Sequence, residues 1–403
     1  MIIIGIPKLR TDDKYAILEN EIFINGKKNV IWFKVDKKYA DYICYERDDA
    51  YLVACLNYAM RNGHDIECLT PITEELLFKI NTYLIPALKE NNPSFHKVKI
   101  KANISSEALP CAGKVGTGIS CGVDSFHSLA EHTDSIYKSH NITHLTFNNV
   151  GSHGEGEHAR QLFRSRVARP QKFAEEYGFE FVLSDSNLMD VIKQSHFKTH
   201  TYSSMFPVLC MRKLYSAYFY SSGGYRFNEF NLYDAPQICC GSYEMLSLDV
   251  FSTSSLKIYS EGLGKTRMDK LREVVKYKPS YRYLNVCLDE GENCNKCEKC
   301  VRTLLGLDAL NALDNYSGVF DIQYYRNNKK WYLQQLMYHY KEGKHDYIEL
   351  YEYLKHEITT IMRAKANAHI LKNKVRNLIA SNKTLYKVAK SLYIQWRGVA
   401  KKG

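Results

Sequence analysis

The chain has 403 residues, 45% hydrophobic and 25% charged, which is globular composition too long for one small core and suited to two or three units. No run of about 18 apolar residues occurs, so a membrane-spanning helix is not expected. The net charge of +11 is local: residues 358–403 hold 11 Lys/Arg and no Asp/Glu, so the rest of the chain balances and gives no general nucleic-acid signature.

Three regions follow in chain order: 1–110, 111–318 and 319–403. In the first, Glu21 to Phe33 reads as a hairpin turning at Asn25-Gly26, a pair suited to positive φ. Asp49 to Asn62 reads as a helix with Leu52, Leu56 and Met60 on one face and Gly63 just past its end. Thr73 to Leu88 reads as a second helix and Lys97 to Ala102 as a strand. This region is expected to be a small α+β domain without a chemical motif. Ile2-Ile3-Ile4 near its start lacks the basic and long apolar segments of a signal peptide.

The second region alternates strands and helices. Strands are predicted at Lys114–Ser120, Ile142–Asn148, Glu180–Ser184 and Gln237–Cys240. Helices are predicted at Ser125–Lys138, Arg160–Tyr177, Met211–Tyr220 and Met268–Val275. That order predicts an α/β fold, a parallel sheet with helices on both faces. From 319 onward the chain reads as helical and rich in Lys and Tyr.

The sharpest motif is Gly116-Thr117-Gly118-Ile119-Ser120-Cys121-Gly122-Val123-Asp124-Ser125, where a strand ends and a helix begins at once. The first turn of such a helix presents unpaired N–H groups and a positive dipole end to a phosphate. Ser120 and Ser125 add hydroxyls, and Asp124 is suited to Mg²⁺ shared with a pyrophosphate. The alternative is an incidental Ser/Gly turn. No Gly-Lys-Ser/Thr follows, so this is not a Walker loop.

The second motif is Cys287-(x6)-Cys294-Asn295-Lys296-Cys297-Glu298-Lys299-Cys300. Four thiolates at this spacing suit closed, tetrahedral Zn²⁺. A redox pair or an iron–sulfur cluster is the rival reading. In a chain expected to be cytoplasmic, twelve cysteines suit metal binding or free thiols better than disulfides.

The first motif resembles the Ser-Gly-Gly-x-Asp-Ser loop of the PP-loop ATP pyrophosphatase superfamily (adenine nucleotide alpha hydrolase-like), with Cys121 in place of the first glycine. Together with the cysteine cluster it resembles the 7-cyano-7-deazaguanine synthase family over about residues 111–310. It is also similar to PP-loop proteins with an Asn-Cys-Gly-x-Cys-Glu-Lys-Cys-x-Arg-Thr stretch, matched by Asn293 to Thr303 with Asn295 at the glycine. The resemblance implies a sheet of the HUP type and ATP held at Ser120, Cys121, Gly122, Val123, Asp124 and Ser125. It also implies an AMP-forming ligase, in which an acceptor oxygen attacks the α-phosphate and a nitrogen nucleophile then displaces AMP.

Weaker signals sit around this frame. His153, Glu155, Glu157 and His158 follow a strand's C-terminal end, where they can serve a substrate or form a solvated loop. Lys265 and Arg267, just before a helix, suit phosphate or transition-state charge, or solvent. Arg164, Arg166 and Arg169 read as a solvated face. In Thr384 to Ala400, Leu385, Val388, Leu392, Trp396 and Val399 fall at helical spacing among Lys383, Lys387, Lys390, Arg397 and Lys401. Such a basic amphipathic helix suits an anionic membrane surface, RNA, its own protein or a dimer mate. The function expected is an ATP- and Mg²⁺-dependent ligase acting on a small-molecule acceptor, cytoplasmic and peripheral to the membrane if the tail binds lipid. The alternatives are a nucleotide-binding module of a larger assembly and a tRNA-modifying enzyme.

Overall fold

A computed structural model describes residues 1–223, 226–233, 238–287 and 291–381. The basic helix expected at 384–400 lies outside them. The chain forms two compact units, Met1–Asn293 and Cys294 to the C-terminus.

The first unit is built on an eleven-stranded mixed sheet. Its strands are β1 Ile2–Ile4, β2 Lys8–Thr11, β3 Tyr15–Ile24, β4 Lys27–Asp36 and β5 Ile66–Cys68. They continue with β7 Ile100–Lys101, β9 Lys114–Gly118, β10 His144–Asn148, β11 Glu180–Ser186, β12 Tyr215–Ser221 and β13 Lys257–Glu261, while β6 Ile72–Thr73 and β8 Ile104–Ser105 pair separately. The order is β13-β12-β9-β10-β11-β4-β3-β1-β5-β7, with β2 on β3. From β13 to β11 every neighbour is parallel. β4 then joins β11 antiparallel, Val35 opposite Ser184 and Phe33 opposite Ser186, so the strands of residues 1–110 extend the same sheet.

Asn25 and Gly26 turn the β3–β4 hairpin at φ 51° and 80°, as their residue types require. Helix α1, Asp49–Asn62, ends at Gly63 with φ 66°. The helix expected from Thr73 to Leu88 runs as α2 Glu74–Lys79, a π turn Ile80–Leu84 and α3 Ile85–Asn91, helical at both junctions, with the π turn just ahead of Pro86, which cannot donate.

Two expectations in the parallel half need correction. Met211–Tyr220 is not a helix. The helix is α8, His196–Cys210, after α7 Leu188–Ile192, and the chain turns at Met211 into strand β12. Tyr215, Tyr218, Phe219 and Tyr220 favour the pleated surface, and their apolar run had hidden the change of period. The described part of Gln237–Cys240 is not a strand either; it leads into a 3-10 turn, Cys240–Tyr243, and α9, Glu244–Phe251. The helix expected at Arg160–Tyr177 is α5 Gly156–Arg166 followed by α6 Ala168–Tyr177. The remaining helices of this unit are α4 Val123–His132, α10 Arg267–Lys276 and α11 Ser280–Tyr283.

Helices α4, α6, α10 and α11 pack on one face of the sheet, and α1, α8 and α9 on the other. This follows from right-handed crossovers: β9-β10-β11 advances in one direction, whereas β11 to β12 and β12 to β13 run back past β9.

In the second unit, α12 Glu298–Ala309, α14 Lys329–Lys341 and α15 His345–Leu354 pack together, and α16 Thr360–Ser381 packs on α14; α13 is Ile322–Asn327. Leu304, Leu305, Tyr325, Tyr332, Leu336, Tyr347 and Leu350 fill its core. No helix among the described residues is long and apolar enough to cross a membrane.

A buried ion pair ties the N-terminal helices to the parallel half. The guanidinium of Arg212, just past α8, contacts Asp49 on α1 and donates to Thr253 Oγ1 at 3.2 Å and Ser255 Oγ at 3.1 Å. Asp49 also accepts from the Thr73 amide at 2.8 Å and hydroxyl at 2.6 Å. Arg212→Ala leaves Asp49 charged, buried and short of its cation. It should cost about 3–5 kcal/mol in urea unfolding, where an exposed ion pair would cost under about 1 kcal/mol.

Candidate functional site

The Ser120–Ser125 corner lies at the C-terminal end of β9, where the strand order reverses. Open α/β sheets bind ligands there, because helices leaving to opposite faces open a crevice. Ile119 is held to β10 by its amide on the Thr146 carbonyl at 2.9 Å, and Asn285 N–H fixes the Cys121 carbonyl at 2.8 Å. Gly122 sits at the N-cap of α4 and brings no side chain to cap the first turn. The Gly122 amide donates to Ser120 Oγ at 3.2 Å, and Ser125 Oγ donates to the Gly122 carbonyl at 3.1 Å. Ser120 and Ser125 hydroxyls stand 3.4 Å apart, so both predicted hydroxyls meet at this corner.

Cys121 has φ 58°, in the left-handed region where a Cβ is strained and glycine is free. Its side chain is fully buried, and burial pushes the thiol up to about 12. It is a protonated filler, not a reactive thiol. Val123 is buried at the start of α4.

Asp124 points toward α10. Its Oδ1 accepts from Arg267 Nη1 at 3.0 Å and Lys270 Nζ at 3.2 Å. Lys270 also donates to the Ser222 carbonyl, just past β12, at 2.8 Å. Burial works against the carboxylate, but the Arg267 and Lys270 charges outweigh it and bring it down to about 2. Arg267 is the first residue of α10, whose start is set by a Thr266–Asp269 capping box. Lys270 was missed from sequence, though it lies three residues on from Arg267 and shares its helix face. Gly262 lets it pass: a Cβ there would sit 2.6 Å from Lys270 Cε. Lys265 stands apart from Asp124, 41% exposed and 3.7 Å from Glu131.

The segment after β10 divides. His153 packs on Phe147 and Phe163, and burial brings it down to about 4. Glu157 pairs with Arg164 on the surface. Glu155 lines a small polar depression with Asn149, Gly151, Arg160, Ser186 and Asp190. Arg169 is bonded to Glu292 at 3.0 Å.

Cys287, Cys294, Cys297 and Cys300 place their sulfurs within 4.8 Å of one another. The cluster can hold a metal ion such as zinc. Cys294 and Cys300 sulfurs are 4.0 Å apart, close to the ~3.8 Å edge of a Zn²⁺ tetrahedron with bonds of about 2.3 Å. Cys294 Sγ accepts the amides of Lys296 at 3.4 Å and Cys297 at 3.2 Å, which stabilises a thiolate. Asn295 makes the intervening turn at φ 60°, a conformation Asn tolerates best among residues with a Cβ. Cys297 and Cys300 stand at the N-terminal end of α12, whose dipole favours anions.

Two measurements check these sites. Elemental analysis should find about one zinc per chain, and Cys297→Ser should lower that occupancy and the melting temperature together. Asp124→Asn should cost roughly 2 kcal/mol at neutral pH, because a carboxyl lowered to about 2 stabilises the fold above its ordinary value of 3.8. The difference from wild type should fade as pH drops from about 4 toward about 2; a constant difference across that window would assign the loss to packing.

Comparison with family models, with curated proteins and with solved structures finds no match for this chain.

Proposed function

We propose that the chain is an AMP-forming ligase of the PP-loop type. The observation that carries this reading is the β9–α4 corner at the sheet's reversal point, where an uncapped helix start, two hydroxyls and a carboxylate flanked by two cations converge. A pyrophosphate group fits the first-turn amides and the hydroxyls of Ser120 and Ser125. Arg267 and Lys270 carry the charge for the developing pyrophosphate, and Asp124 holds them in place until Mg²⁺ arrives with the nucleotide.

In this reaction an acceptor oxygen attacks the α-phosphorus of ATP. The bond from that phosphorus to the bridging oxygen breaks, and pyrophosphate leaves. The protein supplies position and charge rather than a covalent partner in this step. A nitrogen nucleophile then takes the activated group and releases AMP. The cysteine cluster, as a closed zinc site, stabilises the fold without an open coordination position.

The test is acceptor-dependent exchange of labelled pyrophosphate into ATP, with candidate carboxylate acceptors drawn from cell extract fractions. Exchange should require Mg²⁺. Ser120→Ala and Lys270→Ala should each lower it about 10²-fold or more. Tight nucleotide binding with no exchange in any fraction would leave a binding module instead.

A further inference from the structure

A second group of reactive side chains sits at the same edge of the sheet, behind β12. Tyr220 and Ser221 are consecutive strand residues, so their side chains leave on opposite faces. Ser221 Oγ meets Ser128 Oγ of α4 at 2.7 Å, on the face of the phosphate corner. Tyr220 turns the other way, and its hydroxyl lies 2.7 Å from His200 Nδ1 on α8. The two rings are parallel, 6° apart. The other imidazole nitrogen, Nε2, lies 3.5 Å from Cys239 Sγ. Tyrosine, imidazole and thiol thus form one line, with the imidazole held at both nitrogens.

We propose that Cys239 is a catalytic nucleophile, His200 its base and Tyr220 the positioning residue that fixes the imidazole. The two walls of the crevice then divide the work, and this rests on the ligase reading above. One wall holds the pyrophosphate and makes the acyl-adenylate. The other receives its acyl carbon.

The step balances without a further reagent. His200 Nε2 takes the thiol proton. The Cys239 thiolate attacks the carbonyl carbon, a C–S bond forms, and the carbon–oxygen bond to AMP breaks with its electron pair on AMP. The proton on His200 passes to solvent with AMP release. An amine then attacks the thioester, a C–N bond forms and the C–S bond breaks. The amine's proton returns through His200 to the leaving sulfur. A thioester separates AMP release from attack by nitrogen and shields the acyl group from water while the amine enters.

Among the described residues, the other titratable groups facing this line include His196 on α8, Glu244 on α9 and Cys240 beside Cys239. Glu244 is 1% exposed, with Oε1 accepting from Ser260 at 2.6 Å and Oε2 without a hydrogen-bond partner among the described residues. Burial raises the Glu244 carboxyl above its ordinary range. Cys239 is only 7% exposed, so a small electrophile is the right probe.

The experiment is iodoacetamide labelling of the full-length protein from pH 5 to 10, with Cys239 and the exposed Cys111 followed separately by peptide mass mapping. Access scales the rate and leaves the midpoint of the pH profile in place. The Cys239 midpoint should lie at least about one pH unit below that of Cys111. His200→Gln should raise it to or above the Cys111 value, and Tyr220→Phe should raise it part of the way. Should His200→Gln not fold, Tyr220→Phe carries the comparison. The proposal is overturned by a Cys239 midpoint at or above that of Cys111, by no labelling of Cys239 at any pH, or by variants that leave the midpoint in place. Cys239→Ser should keep pyrophosphate exchange and lose product formation. Failed exchange with a low Cys239 midpoint would remove the adenylate and keep the nucleophile; the opposite pattern would remove the nucleophile alone.

Discussion

The contact on which the first unit's site depends is the three-charge clasp of Asp124, Arg267 and Lys270. It joins the first turn of α4 to the first turns of α10, and through the Lys270–Ser222 bond it also reaches the end of β12. Each partner alone would be costly here, because Lys270 is almost wholly buried and Arg267 nearly so. Together they leave one net positive charge beside an uncapped helix start. In the proposed reaction a polyphosphate with its metal would enter by exchange, the cations turning from carboxylate to phosphate and the carboxylate to the metal.

Much of this was legible where local rules and tertiary structure agree. Asn25-Gly26 can turn a hairpin in only a few ways, and Gly63 ends α1 in the left-handed conformation that only glycine adopts freely. The cysteine spacing found its cluster because four thiols so close in sequence cannot be far apart in space. The stretch from His196 to Ser221 failed for the opposite reason. Most of residues 199–219 are buried, under α1 on one side and within the sheet on the other, so the stretch lacks the alternation that separates helix from strand. Lys270 was hidden because its meaning comes from a carboxylate 146 residues earlier in the chain.

The two departures from the motifs are instructive together. Cys121 and Asn295 each replace a glycine of the patterns they resemble, and each sits at positive φ, 58° and 60°. The backbone conformation is thus kept where the residue that makes it easy is absent. Strain of this kind, about 1–3 kcal/mol, persists only where the surroundings over-determine it. At Cys121 the Asn285 amide and full burial do so. At Asn295 the side-chain oxygen accepts the Asp321 amide at 3.2 Å, and the carbonyl accepts from Tyr332.

The mixed sheet gives these pieces their common edge. Because β9, β10, β11, β12 and β13 are all parallel, their C-terminal ends point the same way, and every loop after them opens onto one rim. The order reverses beside β9, so the helices that follow leave toward both faces, and α4 and α8 flank the gap from opposite sides. Charge gathers on the α4 side and proton-transfer groups on the α8 side. In the proposed reaction a substrate lying across the rim would meet both.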